Sequence, residues 1–168
     1  LPIFCSSHSI VDGKHEIDRK SCTGCGKCTA SCLYDALELY GRPITTAEAA
    51  AIILDDRNFY EYSGGGATLS GGEPLLYPEF CAGLFEILQQ QDVHTAIDTC
   101  GNVPWSAFEK VLPVTDLFLY DFKHASSEEH RKLTGCDNKM MIENLRRLSR
   151  TGKPIEIRMI MIPGLNMS

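Results

Sequence analysis

From Thr45 to Met161 the sequence alternates helical and strand-like segments, and this order constrains the fold more than any other feature. A βαβα alternation lays strands side by side in parallel, because each helix must carry the chain back before the next strand begins. It therefore predicts an α/β protein with a parallel sheet or barrel. Thr45-Thr-Ala-Glu48 is a capping-box pattern that opens a helix running to about Asp56. Gly64-Gly65-Gly66 leads into a strand over Ala67-Thr-Leu-Ser70, followed by a turn at Gly71-Gly72. A helix from about Pro78 to Gln91 carries Phe80, Leu84, Ile87 and Leu88, the i, i+4, i+7, i+8 stripe of an amphipathic helix. The alternation continues with a strand over His94–Asp98, a helix over Pro104–Leu112 and a strand over Leu117–Tyr120. Helices at about Ser127–Thr134 and Met140–Thr151 and a strand over Ile155–Met161 complete it.

Composition narrows the function classes. The 168 residues include 16 Lys and Arg against 22 Asp and Glu, a net charge of −6, which argues against a nucleic-acid binder or a protein held on anionic lipid. A hydrophobic content of 43% with 23% charged residues is that of a soluble globular protein. The longest apolar run, Ala49–Leu54, is far too short to span a bilayer, and an intracellular, cytoplasmic protein is expected. The first residue is Leu and the last residues read as a strand running into a loop, so a piece cut at both ends is expected.

The chain divides near Gly41-Arg42-Pro43, giving a Cys-rich part, 1–41, and an α/β part, 42–168. Short strand-like pieces occur in the first part at His15–Asp18 and Ala36–Tyr40. Five of the eight cysteines lie there: Cys5, Cys22, Cys25, Cys28 and Cys32. Cys22-Thr-Gly-Cys25-Gly-Lys-Cys28-Thr-Ala-Ser-Cys32 has the C-x2-C-x2-C-x3-C spacing of bacterial ferredoxins, though Leu33 stands where a Pro usually follows. Thiolates are soft ligands suited to iron–sulfur clusters or zinc, and zinc sites more often use two separated pairs. A 4Fe–4S cluster is the expectation. In two-cluster ferredoxins the fourth Cys of a run serves the other cluster. Cys22, Cys25 and Cys28 would then take Cys5 as fourth ligand, with a small hairpin between, while Cys32 serves a second cluster. In the alternative, Cys5 is a stray thiol and Cys32 closes a single cluster. Cys81, Cys100 and Cys136 read as ordinary thiols.

Polar residues recur just after the strands of the second part: Ser70-Gly-Gly-Glu73, Asp98-Thr99 and Asp121-Phe122-Lys123. Ligands of parallel α/β folds bind at the carboxyl ends of the strands, so these clusters share one rim. The segment Ser63-Gly-Gly-Gly-Ala-Thr-Leu-Ser-Gly-Gly-Glu-Pro74 resembles the radical S-adenosylmethionine enzymes that activate glycyl radical enzymes, of the pyruvate formate-lyase activating enzyme type. The likeness continues through Ile97–Gly101, Asp116–Lys123 and Ile157–Gly164, covering essentially all of 42–168.

This resemblance implies a partial (β/α)6 barrel, of which strands two to five are present, with the Cys-rich part as a ferredoxin-like insertion. It implies reductive cleavage of S-adenosylmethionine to a 5′-deoxyadenosyl radical that takes hydrogen from a glycine of a partner enzyme. It further implies a flavodoxin or ferredoxin as electron donor. By the same resemblance Gly71, Gly72 and Glu73 meet the amino group of adenosylmethionine. Asp121, Phe122 and Lys123 match an Asp-x-Lys that holds the ribose and carboxylate, and Asp98 and Thr99 match an Asp-Thr on the neighbouring strand. Arg158 and Ile160 stand where the family has a strand Arg and a residue near the adenine. Cys100 departs from the more frequent Asn. The C-x3-C-x2-C of the catalytic cluster is absent from these residues, so no catalytic residue is assigned and the chain alone is expected to be inactive. Two other readings remain open: a radical enzyme with another substrate and auxiliary clusters, and an electron-transfer iron–sulfur protein.

Overall fold

The computed structural model describes residues 5–164 and Asn166. Leu1–Phe4, Leu165, Met167 and Ser168, where the expected domains begin and end, lie outside the described residues. The chain divides into two compact units, Leu1–Pro43 and Ile44–Ser168.

In the first unit, β1 (His8–Val11) and β2 (Lys14–Ile17) form an antiparallel hairpin. Its turn, Asp12-Gly13, has φ of 49° and 75°. Asp-Gly is favoured at such a two-residue turn because both positions need the left-handed region. One helical turn, α1 (Lys27–Ala30), lies inside the cysteine run. Ala36–Tyr40 is not a strand, against expectation. An extended segment becomes a strand only through a ladder, and no described strand pairs with it.

In the second unit the helices are α2 (Thr46–Leu54), α3 (Arg57–Ser63), α4 (Pro78–Gln89), α5 (Trp105–Val111), α6 (Ser127–Thr134) and α7 (Lys139–Ser149). They alternate with β3 (Gly66–Leu69), β4 (His94–Thr99), β5 (Leu117–Asp121) and β6 (Ile155–Arg158). The four strands form one parallel sheet in the order β3-β4-β5-β6. The capping box is formed: Thr45 Oγ1 accepts from the Glu48 amide at 3.2 Å, and Glu48 Oε2 accepts from the Thr45 amide at 2.8 Å. Helix α3 was not expected. It ends at Gly64, whose φ of 67° continues no helix. Strand β6 stops at Arg158, short of Met161, because its partner β5 ends at Asp121, the residue opposite.

Registers fix the two faces of the sheet, since successive side chains alternate. Ala67, Leu69, Ile97, Phe118, Tyr120 and Ile155 lie on the face that joins the core, packed with Leu84, Phe85 and Leu88 of α4 and Phe108 and Val111 of α5. Phe85, Phe108 and Phe118 are fully buried, and each such ring stabilises the fold by about 2–3 kcal/mol. The opposite face carries Thr68, Asp98, Leu119, Asp121, Glu156 and Arg158, all at least partly exposed. Helices cover one face, and the charged side chains emerge on the other.

Candidate functional site

The polar clusters after β3, β4 and β5 do meet at the carboxyl ends of the strands. On the open face the Arg158 guanidinium donates to Asp98 Oδ1, reaching across β5, and Lys123 Nζ donates to Asp121 Oδ2. The bond to Asp98 raises the Arg158 pKa, with Asp121 and Glu156 adding to the field. In sheet order the carboxylates of Asp98 and Asp121 are followed by the Arg158 guanidinium, with Lys123 beside Asp121. Ion pairs as exposed as these contribute only about 0–1 kcal/mol to stability, so the fold does not require them.

Glu73 joins this rim differently. Its Oε1 accepts from the Leu75 amide at 3.1 Å and from Thr99 Oγ1 at 2.8 Å. Its Oε2 accepts from the Cys100 amide at 3.0 Å and from the Cys100 thiol at 3.2 Å. Burial pushes the Cys100 thiol up to about 11, and the Glu73 carboxylate beside it acts in the same direction. The Cys81 thiol donates to the Pro74 carbonyl at 3.2 Å, and burial pushes it too up to about 11. Gly71 and Gly72 have φ of 75° and 51°, and a Cβ at either would meet nothing within 4 Å. This turn is open on its outer side.

Sequence reasoning missed the residues that hold the turn after β4. Gly101 has φ of 72°, and a Cβ there would sit 1.7 Å from the Tyr120 hydroxyl. That hydroxyl donates to the Met141 carbonyl of α7 at 2.7 Å. Asn144, also on α7 and 3% exposed, donates from Nδ2 to the carbonyls of Gly101 (2.9 Å) and Val103 (2.7 Å). An Asn among Met141, Leu145 and Leu148 was the available signal, a polar residue in an apolar stripe. Asp116, at the head of a recognised segment, instead pins the start of β4: its Oδ2 accepts from the Thr95 amide at 2.8 Å and from Thr95 Oγ1 at 3.0 Å. His124 Nδ1 accepts from the Ser126 amide at 3.0 Å and belongs to the entry of α6.

In the first unit Cys5, Cys22, Cys25, Cys28 and Cys32 are all unbridged. Left-handed Gly24 and Gly26, with φ of 66° and 71°, bend the loop around them. The Lys27 amide and the Thr23 side chain lower the Cys25 pKa, and the amides of Tyr34 and Ala36 lower that of Cys32. The Ala36 amide lies 3.3 Å from the Cys32 sulfur. Amide donors stabilise the thiolate, which is the form that binds metal. The donor set fits an iron–sulfur centre, although among the described residues no three His, Cys, Asp or Glu side chains are grouped to hold a metal ion.

A family model described as the radical SAM superfamily matches residues 4–168. The chain belongs to the radical SAM superfamily. That family implies S-adenosylmethionine and a 4Fe–4S cluster as its cofactors. The chain is 39% identical over 150 residues to the (2S)-3-sulfopropanediol dehydratase activating enzyme of Klebsiella oxytoca, covering 89% of this chain and 47% of that protein. It is 38% identical over 158 residues to the isethionate sulfite-lyase activating enzyme of Nitratidesulfovibrio vulgaris, covering 92% and 52%. A solved domain of pyruvate-formate lyase-activating enzyme from Bacteroides vulgatus superposes with a TM-score of 0.55 at 36% identity, over 62% of this chain and 65% of that one. The chain spans about half the length of the curated relatives it matches. Among the described residues no helix is long and apolar enough to cross a membrane.

Proposed function

We propose that the whole protein is a glycyl radical enzyme activating enzyme. The observation that carries this reading is the rim of Glu73, Asp98, Arg158, Asp121 and Lys123, set in a sequence whose relatives are named activating enzymes along 89–92% of this chain. Adenosylmethionine carries an ammonium, a carboxylate, ribose hydroxyls and a sulfonium. A rim that carries both carboxylates and cationic side chains, with open glycine carbonyls, has the complementary groups. Asp121 and Lys123, with Phe122 between them, hold the ribose and carboxylate side; Asp98 and the open carbonyls of the Gly71-Gly72 turn form the ammonium side, while Thr99, 2% exposed and bonded to Glu73, lies behind them and makes no contact of its own. When bound, the cofactor and its reduced 4Fe–4S cluster supply a 5′-deoxyadenosyl radical. The residues of this chain bind and orient the cofactor and keep water from it.

Cys22, Cys25, Cys28 and Cys5 would hold one auxiliary 4Fe–4S cluster of a ferredoxin-like insertion, 1–41, and Cys32 would contribute to a second. Their role would be to pass electrons from a flavodoxin or ferredoxin. Support for this comes from the cysteine spacing and from the amide donors to Cys25 and Cys32. The spacing also sets the metal contents to expect of the first unit: iron and sulfide in place of zinc.

The test is anaerobic incubation of the full-length, cluster-loaded protein with adenosylmethionine and dithionite. The expected result is 5′-deoxyadenosine, with a loss of at least tenfold in the Asp121→Ala and Lys123→Ala variants. Undiminished product from both variants would refute this assignment of the rim.

A further inference from the structure

Glu73 belongs to the segment read above as facing the cofactor, yet its side chain is already fully engaged. A carboxylate offers about four acceptor sites. Four donors fill them here: the Leu75 amide and Thr99 Oγ1 on one oxygen, the Cys100 amide and thiol on the other. Leu75 lies on the turn after β3, whereas Thr99 and Cys100 end β4, 26 and 27 residues further along the chain. Thr99 Oγ1 in turn accepts from the Gly101 amide at 2.9 Å, and Asn144 holds the Gly101 carbonyl. A single chain of bonds therefore runs from the turn after β3 through Glu73 and the end of β4 to α7. Asp98, the residue before Thr99, is placed by the same chain.

We propose that Glu73 is a positioning residue whose carboxylate latches the β3 turn to the β4 end, leaving the Gly71 and Gly72 carbonyls as the acceptors this turn offers to an ammonium group. Gly71 and Gly72 are exposed, and neither carbonyl accepts a hydrogen bond among the described residues. Because the Cys100 thiol is partly buried and keeps its proton at neutral pH, its donation to Glu73 persists there. This inference rests on the reading of the rim as an adenosylmethionine site, but the latch itself is measurable without the cofactor.

The experiment uses the full-length, cluster-loaded protein and its Glu73→Gln, Thr99→Val and Thr99→Ser variants, with the Gln/Val double variant. Amide hydrogen exchange is followed without ligand, and binding of adenosylmethionine by calorimetry. A glutamine amide turned toward Cys100 opposes the Cys100 N–H with a second donor. Glu73→Gln is therefore expected to speed exchange at Leu75 and Cys100 roughly tenfold and to weaken adenosylmethionine binding by a similar factor. Thr99→Val should weaken binding likewise, the double variant should lose no more than the worse single one, and Thr99→Ser should restore wild-type behaviour. Unchanged exchange at Cys100 in Glu73→Gln, with fully additive binding losses in the double variant, would overturn the latch and mark the carboxylate as a direct cofactor contact. A wild-type protein that binds no adenosylmethionine would refute the site reading instead, and the exchange data would still decide the latch.

Discussion

Gly101→Ala is the sharpest test of how the rim is built. The new Cβ would lie 1.7 Å from the Tyr120 hydroxyl oxygen and 2.3 Å from its Cζ, so the ring has to move. Tyr120 is fully buried, and moving it breaks the 2.7 Å bond to the Met141 carbonyl. A buried acceptor left without its donor costs about 1–3 kcal/mol. A φ of 72° adds about 1–2 kcal/mol for an alanine. The sum, roughly 2–5 kcal/mol, is a large part of the 5–15 kcal/mol that holds a domain together. Urea unfolding of wild-type, Gly101→Ala, Tyr120→Ala and the double variant measures it. The expected result is strong non-additivity: once the ring is gone, the alanine costs only its backbone strain. A Gly101→Ala protein within about 0.5 kcal/mol of wild type, the range of an ordinary surface change, would refute this packing argument.

Three further outcomes are expected. The 2%-exposed Cys81 thiol is protonated in the folded state up to about pH 11, whereas the unfolded thiol ionises near 9. Its contribution is therefore complete below pH 9 and is lost as pH rises toward 11, by about 2–3 kcal/mol; Cys81→Ala should flatten this alkaline slope in urea titrations, and an unchanged slope would contradict it. Thr45→Ala removes the acceptor of the Glu48 amide and the hydroxyl that donates to Glu48 Oε2, leaves the Thr45 amide bond to that carboxylate, and should lower the urea-unfolding free energy by about 1 kcal/mol. Arg158→Gln should change stability by less than about 1 kcal/mol, because its pair with Asp98 is exposed, yet weaken adenosylmethionine binding measured by calorimetry.

Local signals carried most of the secondary structure. The Thr45–Glu48 box, the Phe80–Leu88 stripe and the short runs at β4 and β5 are complete within a few residues, so periodicity and capping rules reach them. Helix α3 escaped because its aromatic residues make no stripe: Tyr60 packs on the core while Phe59 and Tyr62 stay exposed. The polar rim was legible because Asp98, Asp121 and Glu73 each stand at or just beyond a strand end. The division of labour within the rim was not. Glu73 is a latch through partners 26 and 27 residues away, and Asn144 acts through Gly101, 43 residues away. Such pairings arise only when the strands are in register. In the Cys-rich unit the spacing is the ground on which a cluster is proposed, whereas Ala36–Tyr40 shows that alternation without a partner makes no strand.

The most direct test of the central claim follows the hydrogen itself. The full-length protein is incubated anaerobically with adenosylmethionine, a reductant and a glycyl radical enzyme from the same genome made with α-deuterated glycine. The account predicts 5′-deoxyadenosine carrying deuterium, together with a protein-centred glycyl radical in the electron paramagnetic resonance spectrum. Deuterium-free 5′-deoxyadenosine and no radical, with a partner shown to accept activation by another activase, would contradict it.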